Sequence, residues 1–236
     1  MAVFRIQIAG AVGEVHSLFD STRDYCRKYL TEAAADFSVT VTREHLTFEQ
    51  AELLEEARRE GMRPRTFTDP FLERQAIQRA FAEYLLSRNT LLFHGSAVAV
   101  DGEGYLFTAA CGTGKSTHTR LWRQVFGSRA VMVNDDKPFL KITESGVAMY
   151  GAPWSGKHGL DANIAVPLKG ICILTRGGEN RIWRLSPQEA HTMLLQQCFL
   201  PSENLVAALE GRIPLWKMEC TKDPEAAVVS HRAMSQ

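Results

Sequence analysis

The sequence predicts an α/β protein built on a mixed, largely antiparallel sheet that carries a phosphate-binding loop, with a small N-terminal α/β lobe ahead of it. Three observations lead there. From Thr90 onward, short apolar runs follow one another with tight turns between them, at Asp101–Gly104, Asp135–Pro138 and Glu144–Gly146. A doubly wound parallel sheet needs a crossover helix between each pair of strands, and these connections are too short to hold one. A glycine-rich segment, Ala109 to Ser116 (AACGTGKS), stands between a predicted strand and a predicted helix. Finally, the first 68 residues carry their own strands and helices and end in the Pro- and Gly-containing loop GMRPRTFTDP, so the expected division is 1–68 and 69–236.

Each element has its own signal. Val3 to Ile8 alternates apolar and polar residues, as a strand with one buried face does. Ser21 is positioned to cap a helix through Tyr25, Tyr29 and Leu30. Phe37 to Thr42 is β-branched and alternating, a second strand. Thr47, followed by Glu49 and Gln50, opens a charged helix to about Glu60, closed by Gly61 and Pro64. A helix from Pro70 to Ser87 places Phe71, Ile77, Phe81 and Leu85 near one face. Strands are then expected at Leu91–Val100, Tyr105–Ala110, Ala130–Asn134, Phe139–Ile142, Val147–Pro153 and Leu168–Arg176, with a helix at Gly114–Phe126. A helix from Pro187 to Cys198, a strand from Ile213 to Cys220 and a last helix from Pro224 complete the chain.

Composition excludes several classes of function. Lys plus Arg equals Asp plus Glu at 27 each in 236 residues, so no global field draws the chain to nucleic acid or an anionic membrane. The densest basic stretch, Arg58 to Arg65, is interleaved with glutamates and reads as a solvated helix end. Five scattered cysteines without a C-x-x-C spacing suit neither a disulfide framework nor a zinc site. No apolar run approaches the roughly 18 residues of a membrane span, and the N-terminus lacks a signal-peptide pattern, so a cytoplasmic protein is expected.

The loop carries the chemistry. It follows the pattern G-x-x-x-x-G-K-[ST], with Ala109 at the position of the first glycine. Gly112 and Gly114 let backbone N–H groups converge on phosphate oxygens, and the following helix turns its N-terminal dipole on the same anion. Cys111, Gly112, Thr113, Gly114, Lys115, Ser116 and Thr117 are therefore the expected nucleotide contacts. Lys115 supplies charge to the β/γ phosphates, Ser116 is a Mg²⁺ contact and Thr117 faces the α-phosphate. Nothing marks Cys111 as a nucleophile.

About 20 residues after Lys115, a strand delivers Asp135 and Asp136. One carboxylate beside such a loop is the usual second handle for Mg²⁺, and a neighbouring one can accept a hydroxyl proton. A polar turn is the competing reading, since Asn-Asp-Asp-Lys-Pro is also good turn chemistry. His94 breaks an apolar run one strand earlier, as a structural histidine or as a partner of the acids.

Taken together, H-G-x-x-V at His94 to Val98, G-x-G-K-S-T at Gly112 to Thr117 and N-D-D at Asn134 to Asp136 resemble the C-terminal catalytic domain of HPr kinase/phosphorylase. They are also similar to related kinases of peptide and small-molecule hydroxyls. The resemblance spans about Leu91 to Leu174 and implies a P-loop fold shared with ATP-dependent phosphoenolpyruvate carboxykinase. It implies that Lys115, Asp135, Asp136 and His94 are catalytic. Ser116 and Asp135 become the metal contacts, and His94 lies beside the acid pair; which aspartate takes the proton stays open. The family's Arg-Gly-rich stretch is absent. In its place YGAPWSGKHG, Tyr150 to Gly159, looks like the version found in an uncharacterised branch of HPr-kinase-like proteins. Lys157 in that segment either neutralises a transferring phosphoryl group or decorates a surface turn.

The expected activity is an ATP- and Mg²⁺-dependent kinase for a hydroxyl of a peptide, protein or small molecule, with HPr itself not the expected substrate. The alternative is a non-catalytic ATP-binding module that acts with a partner in peptide modification. Phosphoenolpyruvate carboxykinase chemistry lacks its cluster of arginines and histidines here, and no N-K-x-D guanine signature is present.

Overall fold

Alternating burial along the first strands sets the N-terminal part. The computed structural model describes residues 1–59, 61, 63–110 and 112–236. β1 (Ala2–Ile8) and β2 (Ala11–Ser17) pair antiparallel around a two-residue turn in which Ala9 and Gly10 both have positive φ, 51° and 84°. That is the turn whose twist suits a hairpin. α1 (Asp20–Tyr25) follows, and β3 (Phe37–Thr40) then adds to β2 in parallel. α2 (Arg43–Arg59) and α3 (Asp69–Leu86) complete this part. The helix expected to reach Glu60 is described to Arg59, and Glu60 lies outside the described residues.

The chain divides into two compact units at Leu85/Leu86, not at 68/69. The reason is where α3 packs. Phe81 stacks edge-on against Phe37 of β3 at 4.8 Å, and Tyr84 lies flat on the same ring at 4.0 Å. A Cβ at Gly13 of β2 would sit 2.5 Å from the Phe81 ring, so only glycine lets the helix come that close. Buried Glu73 also accepts hydrogen bonds from the Leu18 and Phe19 amides and the Thr22 hydroxyl, satisfying the start of α1. The helix expected to open the second part is thus the lid of the first unit's small sheet.

In the second unit, nine strands among the described residues form one sheet. They are β4 (Thr90–Leu92), β5 (Ser96–Val100), β6 (Glu103–Thr108), β7 (Ala130–Asn134), β8 (Phe139–Thr143), β9 (Gly146–Tyr150), β10 (Ala165–Arg176), β11 (Arg181–Leu185) and β12 (Leu215–Cys220). The order runs β4-β8-β9-β10-β6-β5-β7, with β12 also on β10 and β11 beyond β12. The parallel pairings in this sheet are β10 with β6 and β10 with β12, and the other pairings are antiparallel. The mixed, mostly antiparallel sheet agrees with the sequence reading.

Helices cover both faces, which explains why the strands read as unbroken apolar runs. Leu106, Ile171 and Ile173 pack with Leu194 of α5 (Pro187–Gln197) and with Val206 and Leu209 of α6 (Glu203–Glu210). On the other face Tyr105, Phe107 and Cys172 pack with Leu121 and Trp122 of α4 (Lys115–Phe126) and with Ala226 and Ala227 of α7 (Glu225–Met234). Among the described residues, no helix is long and apolar enough to cross a membrane.

Several elements differ from the sequence reading: the first helix ends at Tyr25, short of Leu30, and α2 begins at Arg43 and not at Thr47. The expected strand Leu91–Val100 is broken at His94 and Gly95, which leave the ladder to make other bonds. β2 and β11 carry weak signals. β11 is an edge strand (RIWRL) whose two arginines mask its three apolar positions, and α6 follows α5 after a short connection.

A polar knot joins the two helices of the α4 face. Ser230 Oγ lies 3.1 Å from His118 Nε2, and the Trp122 indole N–H donates to Ser230 Oγ at 3.0 Å and His118 Nε2 at 3.2 Å. A protonated imidazole needs an acceptor at each nitrogen. Here Nε2 meets an N–H donor, and Nδ1 has no partner among the described residues. Burial accordingly pushes His118 down to about 3. The unfolded chain takes up its proton near 6.5 and the folded chain does not, so the stability tied to neutral His118 is whole above pH 6.5. It is lost as pH falls toward 3, at about 1.4 kcal/mol per pH unit. Imidazole NMR shifts of His118 should stay in the neutral form at pH 4.5, while denaturation midpoints fall between pH 6.5 and 4.5. A protonation midpoint near 6 for this ring in the folded protein would contradict the assignment.

Candidate functional site

Pairing around β5 brings the site together. β5 runs antiparallel to β6 on one edge and to β7 on the other, so β6 and β7 run the same way and end at the same edge of the sheet. Ser96, at the start of β5, pairs with Phe107, and its neighbour Ala97 pairs with Asn134. The glycine loop leaves β6 after Thr108, and the acidic turn leaves β7 after Asn134. Two segments separated in sequence therefore face each other across one strand.

The glycine loop bends through two residues with positive φ. Gly112 and Gly114 have φ of 73° and 124°, conformations that L side chains rarely adopt, and no neighbour fills the space a Cβ would take at Gly112. Gly114 directly precedes α4, so the helix N-terminal amides open onto the same space. Lys115 curls back so that Nζ donates to the Ala109 carbonyl at 3.2 Å, which holds its ammonium over the loop. Ser116 is exposed, and Thr117 packs beneath Gly114. Thr113 donates its amide to the Ala110 carbonyl at 3.2 Å. Cys111, counted among the expected contacts, lies outside the described residues.

The two aspartates occupy different environments. Asp135 is 7% exposed and accepts a hydrogen bond from Ser96 Oγ at 2.6 Å. Ser96 in turn lies 2.7 Å from Oγ1 of Thr119, the fifth residue of α4, so Asp135 is tied to the helix that carries Ser116. The Asp136 side chain is 34% exposed, and its Oδ1 lies 3.4 Å from His94 Nε2. Burial, with Lys137 and Lys115 nearby, pushes the His94 imidazole down to about 3, so the ring is neutral at ordinary pH. The contact is then an imidazole N–H beside a carboxylate, longer than an ordinary hydrogen bond, and not a salt bridge. The same electrostatics places Lys115 within range of His94.

Backbone bonds explain the break at His94. Its amide donates to the Gln197 carbonyl at 2.8 Å and its carbonyl accepts from Thr108 Oγ1 at 3.0 Å, while the Gly95 amide donates to the Asp136 carbonyl at 3.0 Å. The residue leaves the strand because α5, β6 and the acidic turn all bind it.

Asn134 shapes the acidic turn. Fully buried, it accepts the Asp136 and Lys137 amides on Oδ1 at 2.8 and 2.6 Å, and donates Nδ2 to the Ala152 carbonyl at 2.8 Å. The segment 151–162 wraps the turn from outside. The Asp135 amide donates to the Leu160 carbonyl at 3.0 Å, and a Cβ at Gly151 would lie 1.9 Å from the Ala162 carbonyl oxygen. Gly156, with φ of 69°, approaches Asp136 so closely that a Cβ would stand 3.3 Å from that residue's own. Lys157, next in sequence, is exposed in a short 3₁₀ turn, Gly156–His158. The structure therefore gathers His94, Lys115, Asp135 and Asp136 at one sheet edge and sets Lys157 on the exposed loop beside Asp136.

Sequence reasoning missed Ser96, Thr119, Asn134 as the turn's organiser, and Arg176. Arg176 ends β10, the parallel neighbour of β6, and its Nη2 donates to the Gly112 carbonyl at 2.6 Å. Small hydroxyls and one arginine carry no spacing signal, and only the sheet order makes them neighbours.

No protein-family model and no curated protein matches the chain. Among solved structures it is similar to the Hpr(Ser) kinase/phosphatase from Coxiella burnetii, at 13% identity and a TM-score of 0.38, over 61% of this chain and 97% of that one. At those values the likeness is a distant one.

Proposed function

We propose that the chain is an ATP- and Mg²⁺-dependent kinase that moves the γ-phosphoryl group of ATP to a hydroxyl of a peptide, protein or small molecule. The observation that carries this reading is the meeting, at the shared end of β6 and β7, of a glycine nest with a lysine and an acid pair of unequal exposure. Binding alone does not call for a half-exposed carboxylate beside a neutral imidazole. Catalysis of proton transfer does.

The donor set fits the groups. Converging amides at Gly112 and Gly114 and the Lys115 ammonium suit phosphate oxygens. Ser116 and Asp135 are hard oxygen donors of the kind Mg²⁺ takes, and the metal when bound would offset charge on the β and γ phosphates. Asp135 suits that role because it is buried and its carboxylate is oriented by Ser96. Asp136 suits the other. It is open to an acceptor, and neutral His94 flanks it without competing for the proton.

In this reading the acceptor oxygen forms its bond to the γ-phosphorus while the bond to the β–γ bridging oxygen breaks. The hydroxyl proton passes to Asp136, and Lys115 offsets charge that builds on the phosphoryl oxygens. In the same reading Lys157, exposed on the loop that packs against Asp136, contacts the acceptor.

Incubation with γ-labelled ATP and fractionated lysate identifies the acceptor. On that acceptor Lys115→Ala should lower turnover by about 10²–10³, and Asp136→Asn by about 10²–10⁴ while ATP still binds. Wild-type turnover by Asp136→Asn would remove its role as base. Tight ATP binding with no labelled acceptor would favour the non-catalytic module.

Ser96→Ala tests the division between the aspartates. Loss of a bond that orients a metal-binding carboxylate should raise the Mg²⁺ concentration for half-maximal rate by about 10- to 100-fold, with the rate at saturating Mg²⁺ changed much less. An unchanged Mg²⁺ requirement would return Asp135 to a purely structural role.

A further inference from the structure

The acidic turn lies to one side of the glycine loop. To the other side, across β10, β12 and β11, a cavity of about 850 Å³ opens against the same loop. Its floor is Ile173 and Thr175 of β10 with Lys217 of β12, and its walls are Trp183 and Leu185 of β11 and Glu189 and Met193 of α5. Ala110, Gly112 and Thr113 form the rim it shares with the nest. Arg176 stands at that rim and binds the Gly112 and Thr113 carbonyls at 2.6 and 3.4 Å, which turns those oxygens toward the guanidinium.

We propose that this cavity holds the adenosine part of the nucleotide, with the base against the Trp183 indole. The inference rests on the kinase reading and extends it. A triphosphate in the nest has its γ end toward Asp135 and Asp136, on the β7 side of β6. Its other end then leaves the loop on the β10 side, where the cavity begins.

The size lies within the usual range for small-molecule pockets. Trp183 is 38% exposed, an unusual setting for a large indole, and Lys217 Nζ lies 5.9 Å from its ring centre. Leu185 and Met193 add apolar surface. Glu189 closes a capping box on Ser186, with both hydrogen bonds at 2.8 Å on one oxygen, Oε2. Those bonds, with the Lys217 charge added, hold its carboxyl below the ordinary range, so it is an anionic acceptor. A carboxylate and an ammonium lining the same cavity as an indole complement a base edge that offers an amine beside a ring nitrogen, as adenine does.

Calorimetry with Mg²⁺ present, comparing ATP with inorganic tripolyphosphate, separates the cavity from the nest. Wild-type protein should bind ATP more tightly than tripolyphosphate. Trp183→Ala should weaken ATP by about tenfold and leave tripolyphosphate unchanged, which also shows that the variant is folded. Met193→Ala should act in the same direction. Lys115→Ala should weaken both ligands. Equal affinity of wild-type protein for the two ligands, or full ATP affinity in Trp183→Ala, would overturn the cavity assignment while leaving the nest intact. Binding of neither ligand to wild-type protein would overturn the nest as well.

Discussion

Everything at the site depends on β5 being the strand between β6 and β7. An antiparallel strand with an antiparallel neighbour on each side forces those neighbours to run the same way, so the segments leaving them must emerge together. The glycine loop and the acidic turn are neighbours for that reason, although Lys115 and Asp135 are separated by a whole helix. Ser96 then does chemically what β5 does topologically, because its hydroxyl links Asp135 to Thr119 on α4. Were β7 to pair elsewhere, the carboxylates would lose their relation to the loop without any change in local sequence.

Charge is handled at the same edge with little waste. Burial and the charges of Lys137 and Lys115 keep His94 neutral, 3.4 Å from Asp136. Several partly buried ions in one place are tolerable only when opposite signs and hydrogen bonds accompany them. Asn134 accepts the turn's amides on its oxygen and donates its nitrogen to the Ala152 carbonyl, and the Leu160 carbonyl accepts the Asp135 amide. The more buried of the two aspartates, Asp135, is the one bonded to Ser96.

Much of this was legible in the sequence where a local rule fixes the geometry. Gly112 and Gly114 announced positive φ, Asp101-Gly102 announced a hairpin turn, and the strand of Ala130–Asn134 ended where its apolar run did. The sheet's mixed character followed from the shortness of its connections. Other features obey no local rule. His94 looked like a strand residue because its neighbours are apolar, and it leaves the ladder only because Gln197, Thr108 and Asp136 bind the backbone around it. Phe81 looked like part of the second domain, and only the missing Cβ of Gly13 shows that its helix belongs to the first unit. Ser96 and Arg176 meet partners tens of residues away, a relation that one sequence does not display.

The knot of His118, Trp122 and Ser230 has a consequence for synthesis. Trp122 is fully buried, and it hydrogen-bonds to a residue 108 positions later in the chain. At ordinary translation speed, roughly 5–20 s pass between the two residues leaving the peptidyl-transferase centre. During that interval the helix behind the glycine loop has no α7 to cover its indole, so the nascent chain carries an exposed aromatic face. The indole gains that cover only once α7 has been made and has packed against α4.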